Sequence, residues 1–198
     1  MIITGAGEKG FSAGMDVSDI ANIEKGPNGN DVYNRIERSS KPFIAAINGY
    51  ALGGGCELAL VCHFRIMTDN PKAVIGCPEV NLGIIPAWGG TQRLQRRVGP
   101  ARAMEMILTG DMVDAAGAKA WGLALDVLPP EKLLEHAVAQ ARKIASKGPA
   151  AVAAAKRIAR ATACPQLPAG HEMAAEAFGM LFGTADAREG RKAFVEKR

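Results

Sequence analysis

Up to Gly89 the chain alternates compact apolar runs with glycine-rich joints, and beyond it the residues turn into a succession of alanine- and leucine-rich segments. Strands alternating with helices in the first part imply a layered α/β core. Residues 2–4 read as a short strand entering the glycine-rich stretch 5–14, and 17–23 as a turn or two of helix before Gly26-Pro27-Asn28-Gly29-Asn30 breaks the chain. A helix with Val32 and Ile36 on one face follows. Phe43-Ile44-Ala45-Ala46-Ile47 is a compact buried strand ending at Asn48-Gly49, and 56–61 is a helix that opens at Gly53-Gly54-Gly55. Residues 64–67 and 74–75 are short strands divided by the Asp69-Asn70-Pro71 turn. Helices are predicted over 91–98, 101–109, 115–121, 130–146, 150–163, 171–182 and 186–197, with Gly or Pro at the joints. At about 150 residues per domain, 198 residues make one domain with a helical appendage and exclude two catalytic domains. The division is expected near Pro129-Pro130, giving a core of 1–129 and a C-terminal helical region of 130–198.

Apolar residues at 48% and charged residues at 22% are an ordinary globular mix, far from a disordered composition. The 24 Lys and Arg exceed the 20 Asp and Glu by only four, and they are spread out, which argues against nucleic acid while suiting a small polyanionic ligand. Cys56, Cys62, Cys77 and Cys164 form no CxxC pair and read as reduced core thiols, so a cytoplasmic location is expected. The N-terminus has neither a basic region nor a long apolar stretch, and no later run approaches the ~18 apolar residues of a membrane span. A soluble, unprocessed protein with no membrane partner is the expectation. His63, His136 and His171 form no spaced ligand set, so no metal is expected.

Three patterns overlap in the first residues. Gly5-Ala6-Gly7-Glu8-Lys9-Gly10 matches the dinucleotide fingerprint, with Glu24 near the position of a ribose-binding acid. The segment after it does not continue as the helix that this site requires. Gly10-Phe11-Ser12-Ala13-Gly14 matches the nucleophile elbow, with His136 or His171 as nominal base, yet only nine residues precede it where several strands are needed. In the third reading, Gly14-Met15-Asp16 ends a loop whose main-chain N–H can face a ligand. Gly53-Gly54-Gly55 then opens a second backbone approach at a helix start, and together they would form an oxyanion hole. Ordinary tight turns are the alternative.

Glu57 stands among Gly55-Cys56 and Leu58-Ala59-Leu60, and Glu79 lies in Gly76-Cys77-Pro78-Glu79-Val80. Carboxylates in apolar settings need a reason to be there. Placed on one water they could act as general base and general acid, with pKa values raised by desolvation. An ion pair with Arg65 or Arg93 is the structural alternative for each. The cluster Arg93, Arg96, Arg97 and Arg102 and the tail Arg188, Arg191, Lys192, Lys197 and Arg198 read as solvated helix faces, and Trp88 either lines an acyl pocket or packs.

The loop from Gly5 to Asp16, the segment Ala46 to Leu58, the segment Pro78-Glu79-Val80-Asn81-Leu82-Gly83-Ile84-Ile85-Pro86 through Gly89-Gly90-Thr91-Gln92-Arg93-Leu94, and the tail Arg188 to Arg198 together resemble the enoyl-CoA hydratase/isomerase, or crotonase, family. The resemblance covers essentially the whole chain. It implies a spiral β/α core and a C-terminal helical region that mediates trimer formation, often stacked into a hexamer. It further implies an oxyanion hole from the N–H groups of Met15 and Gly54, acid–base catalysis by Glu57 and Glu79, and substrate binding by Lys9, Ala13, Asp16, Gly53 and Trp88. The implied reaction is hydration of an enoyl-CoA in fatty acid metabolism, with coenzyme A as part of the substrate and no metal or redox cofactor. An acyl-CoA isomerase, a thioester hydrolase or a non-catalytic remnant are the alternatives. Family members carry strands and a helix ahead of the point where this sequence starts, so a truncated member with an unpaired sheet edge is expected. Ala87 stands where the family prefers glycine, and His63 where an acid is frequent.

Overall fold

The computed structural model describes residues 1–7, 9–16, 18, 28–163, 175–176 and 178–198. Strands β1 (Ile2–Thr4), β3 (Ile44–Ile47), β5 (Phe64–Thr68) and β8 (Asp126–Leu128) form one sheet in that order, all parallel. Strands β2 (Gly10–Ser12), β4 (Tyr50–Leu52), β6 (Val74–Gly76) and β7 (Val113–Asp114) form a second, parallel apart from the antiparallel β6–β7 pair. Through β6, successive strands therefore alternate between the two sheets, and the chain advances as a spiral. Helices α1 (Gly29–Arg38) and α2 (Gly54–Val61) carry it from one turn to the next. Beyond a 3-10 turn at Pro78–Leu82 come α3 (Gly90–Val98), α4 (Pro100–Thr109), α5 (Ala115–Ala120), α6 (Pro130–Ala145), α7 (Pro149–Ala163) and α8 (Ala185–Glu196).

Two residues, Asn48 and Gly49, suffice to switch sheets between β3 and β4. The Asn48 carboxamide ties that corner to the preceding one: Oδ1 accepts the Gly5 N–H at 2.9 Å, and Nδ2 donates to the Gly7 carbonyl at 2.9 Å. The corners of consecutive turns are stacked by one side chain, and the loops that follow them share one end of the spiral.

All four residues of β3 are buried, as a central parallel strand covered on both faces requires. Ile44 and Ala46 join Ile66 of β5 under Leu133 and Ala137 of α6. Ala45, Ile47 and Met67 face the main core, which includes Leu60 of α2 and Leu94 of α3. Burying each large aliphatic side chain here contributes about 1.5–3 kcal/mol. α2 is buried on nearly every side, as expected of a helix that is apolar all round.

The short strands depart from the sequence reading. β2 lies within the glycine-rich stretch 5–14, β4 lies between the expected strand and the helix that opens at the glycines, and β7 and β8 fall within the part expected to be helical. Two or three residues carry too little period-2 pattern to register, and their strand state comes from the partner that pairs with them. The helical turn expected at 17–23 and the start of that expected at 171–182 lie largely outside the described residues, as do Glu24, Cys164 and His171. Among the described residues no helix is long and apolar enough to cross a membrane.

Candidate active site

Gly14, at φ +86°, brings its loop against the start of α2 so closely that a Cβ there would lie 2.7 Å from the Gly54 nitrogen. No other residue fits this conformation and this contact together. At the helix start itself Gly53 takes φ +56°, and its N–H donates to the Gly76 carbonyl at 3.0 Å. A Cβ on Gly53 would meet Glu79 Oε1 at 3.2 Å. Glycine here clears the backbone from the carboxylate.

Gly53 and Glu79 border a mostly apolar cavity of about 460 Å³. The loop after β2 lines it with Ala13, Met15 and Asp16, and the start of α2 with Gly53, Gly54 and Glu57. Glu79 enters from the 3-10 turn and Trp88 from the loop before α3. Eight of the nine residues singled out in the sequence are thus brought to one cavity. The ninth, Lys9, is exposed and does not line it. Asp16 is also exposed, and its Oδ1 is occupied locally, accepting from the N–H and hydroxyl of Ser18 at 2.9 and 2.6 Å.

Glu57 is 2% exposed. Its Oε1 accepts two main-chain N–H groups, from Trp88 at 2.8 Å and from Gly90 at 2.7 Å. Burial, and then the charge of Glu79, push its carboxyl up to about 8, against the opposing pull of those two N–H donors and of Arg93. Glu79 is pushed up to about 7 by burial, and its Oε2 is buried with no hydrogen-bond partner among the described residues. The two carboxyls share one low-dielectric space, and the charge of Glu79 acts on Glu57, so near neutrality the pair holds a proton that isolated carboxylates would have lost.

The ion pairs weighed for these acids do not form. Arg93, also buried, pairs with Glu37 at 2.8 Å. Arg65 donates to main-chain carbonyls, those of Leu123 and Cys62 at 2.7 Å each and that of Ala59 at 3.4 Å. Nor is there an elbow serine: Ser12 lies in β2, where its Oγ accepts the Gly14 N–H at 3.1 Å, while His136 faces Asp126 at 3.2 Å. His63 packs against Phe43 and accepts that residue's N–H through Nδ1 at 3.0 Å.

Several participants were not signalled by the sequence. Tyr33 of α1 donates its hydroxyl to the Gly54 carbonyl at 2.7 Å and sets its ring edge-on to Trp88, with centroids 5.4 Å apart. Phe178 lines the cavity from the helix expected at 171–182, and Phe194 from the tail that reads as a solvated basic face. Phe194, an aromatic among those basic residues, was the available signal. Tyr33 offered none, because its role depends on α1 packing on α2. Among the described residues, no three His, Cys, Asp or Glu side chains are grouped so that they could hold a metal ion.

A two-sheet spiral that delivers a pair of proton-holding carboxyls and a glycine-cleared helix start to one apolar cavity defines a class of α/β proteins equipped for acid–base chemistry. The chain belongs to the enoyl-CoA hydratase/isomerase family, whose model matches residues 1–198. It is 45% identical over 204 residues to a crotonyl-CoA hydratase of Syntrophomonas wolfei, covering all of this chain and 78% of that protein. With a 2,3-dehydroadipyl-CoA hydratase of Escherichia coli the identity is 41% over 201 residues, covering 100% and 78%. The crystal structure of a carnitinyl-CoA hydratase from Mycobacterium avium superposes with a TM-score of 0.86 at 36% identity, over 100% of this chain and 78% of that one.

Proposed function

We propose that the protein is an enoyl-CoA hydratase, a hydro-lyase that adds water across the α,β double bond of an acyl-CoA thioester. The observation that carries this reading is the placement of Glu57 and Glu79 on one apolar cavity, with neither ion-paired to an arginine among the described residues. The thioester carbonyl would sit between the main-chain N–H groups of Met15 and Gly54, where developing enolate charge is stabilised by fixed dipoles. A water held between the carboxyls gives its proton to the ionised one as its oxygen bonds to the β-carbon. The protonated carboxyl delivers a proton to the α-carbon, and proton exchange restores the pair. Coenzyme A enters as part of the substrate, and the scheme uses no other cofactor.

A single carboxyl would serve an isomerase, and a thioester hydrolase could use the same amide pair, so the presence of both acids favours hydration. Relatives acting on different acyl groups share this framework, and the acyl specificity of this chain belongs to the cavity wall around Leu82, Ile84 and Ile85. Assembly as a homotrimer or dimer of trimers accords with the apolar face of α4, where Met104 and Leu108 are 50% and 67% exposed. Free, buried Cys56, Cys62 and Cys77 suit a reducing compartment such as the cytoplasm.

The test is loss of enoyl-thioester absorbance on addition of the purified chain, with calorimetry of acyl-CoA binding alongside. Glu57→Gln and Glu79→Gln should each lower kcat by about 10²–10⁴, the range for removal of a positioned acid or base, and leave saturable acyl-CoA binding intact. Full activity in both variants overturns the hydratase reading. Absence of binding by the unaltered chain turns it into the non-catalytic remnant.

A further inference from the structure

We propose that Arg93, clamped by Glu37, is the positioning residue that orients the Glu57 carboxylate by holding the Trp88–Gly90 loop from behind. The two N–H groups that Glu57 Oε1 accepts flank two carbonyls, and Arg93 binds both of them. Its guanidinium Nη1 donates to the Trp88 carbonyl at 2.6 Å, and its own main-chain N–H donates to the Gly89 carbonyl at 2.9 Å. Peptide planarity links each carbonyl to the amide beyond it, so holding Trp88 O sets the plane between the two donors and holding Gly89 O sets the plane of the Gly90 donor. The guanidinium therefore fixes the Trp88–Gly89 peptide between the two donors, and the first turn of α3 fixes the Gly89–Gly90 peptide that carries the Gly90 N–H, while the Trp88 N–H belongs to the peptide of the Ala87 carbonyl, which Asn30 Nδ2 holds at 3.2 Å.

The guanidinium is itself held. Nη2 donates to Glu37 Oε2 at 2.8 Å and to Asn34 Oδ1 at 3.4 Å, both on α1, and Arg93 is almost wholly buried. Burial works to raise the Glu37 carboxyl, but the hydrogen bond and charge of Arg93, helped by Arg160 and Arg96, outweigh it and hold Glu37 ionised. A planar fork with donors in several directions serves the Trp88 carbonyl, Glu37 and Asn34 at once, which a lysine ammonium on a flexible stem does less well. The groups acting on the Glu57 charge are Glu79 from the 3-10 turn and Arg93 from α3, with Tyr33 and Cys77, both held toward their neutral forms, beside it. Arg93 thus acts on Glu57 by geometry and by charge, and both favour the ionised carboxylate.

This inference rests on the hydratase reading, and the experiment separates the two. Hydration kinetics are measured from pH 5.5 to 9.5 for Arg93→Met, Arg93→Lys and Glu37→Gln beside Glu57→Gln and Glu79→Gln, each normalised to folded protein by circular dichroism. Arg93→Met should lower kcat at least tenfold with KM changed less than threefold, and it should move one limb of the pH profile upward. Arg93→Lys should recover most of the limb position and part of kcat, and Glu37→Gln should fall between. If Arg93→Met does not fold, the shifts in Arg93→Lys and Glu37→Gln decide in its place. Loss of folded protein with kcat and both limbs unmoved overturns the positioning role while the hydratase reading stands. Full activity in Glu57→Gln, together with full activity in Glu79→Gln, overturns the hydratase reading itself.

Discussion

The Glu57 carboxyl is under opposed influences. Burial and the neighbouring Glu79 keep it protonated, while two N–H donors and Arg93 favour its ionised form, and the balance lies on the protonated side at about 8. Glu79 reaches about 7 by burial. A catalytic pair needs one acid and one base present together, which two ordinary carboxyls near 4.5 cannot supply at neutral pH. The expected consequence is a bell-shaped kcat/KM with limbs near 7 and near 8, belonging to the pair rather than to either residue. Initial-rate hydration in a constant-ionic-strength buffer series checks it. A flat profile from pH 5 to 7 would mean that the carboxyls are not the titrating groups.

At the scale of elements, α2 is anchored at both ends by unusual means. Its start is freed of side chains by Gly53 and Gly54, and its C-terminal carbonyls are received by a buried arginine on the next strand. Among the described residues Arg65 has no acid beside it, and burial, reinforced by the charge of Arg97, pulls its pKa down to about 9. The carbonyls of Cys62 and Leu123, at 2.7 Å, compensate for the desolvated charge. Replacing Arg65 by Met removes the buried cation but strands those carbonyls, at about 1–3 kcal/mol for each polar group left unsatisfied. The acceptors outnumber the single charge relieved, so Arg65→Met should be destabilised by about 2 kcal/mol. Urea denaturation reads this, and unchanged stability would show that the helix end finds water instead.

For the whole molecule, the same carboxyls that equip the cavity oppose the fold. The folded pKa values of Glu57 and Glu79 lie above the ordinary 4.5, so between 4.5 and about 8 the native state binds more protons than the unfolded chain. Stability from this source therefore falls as pH rises through that window. Glu57→Gln removes the larger of the two shifts, so it should melt at a higher temperature than the parent at pH 8.5 while losing activity, a trade familiar from strained active sites. Calorimetric melting of both proteins at pH 5.5 and 8.5 measures it, and an equal difference at the two pH values contradicts it. His63 contributes in the opposite direction. Burial lowers its pKa from 6.5 to about 4, so protonation destabilises the fold as pH falls through that interval.

Much of this was legible along the chain. The compact run at Phe43 to Ile47, the glycine-led helix after Gly53 and the helices from Gly90 onward are local patterns, and local patterns survive without a partner. Glu57 and Glu79 were conspicuous because a carboxylate flanked by apolar residues carries its desolvation cost wherever the chain goes. By itself, then, the sequence determined the α/β class, the succession of helices and which acids were out of place. The assignment of successive strands to alternate sheets, the strand state of β2, β4, β7 and β8, and the choice of Glu37 over either cavity acid as the partner of Arg93 were decided only in three dimensions. Pairing between short strands and the seating of a buried guanidinium depend on groups dozens of residues apart, and the energy that selects among them exists only once packing has excluded water from between them.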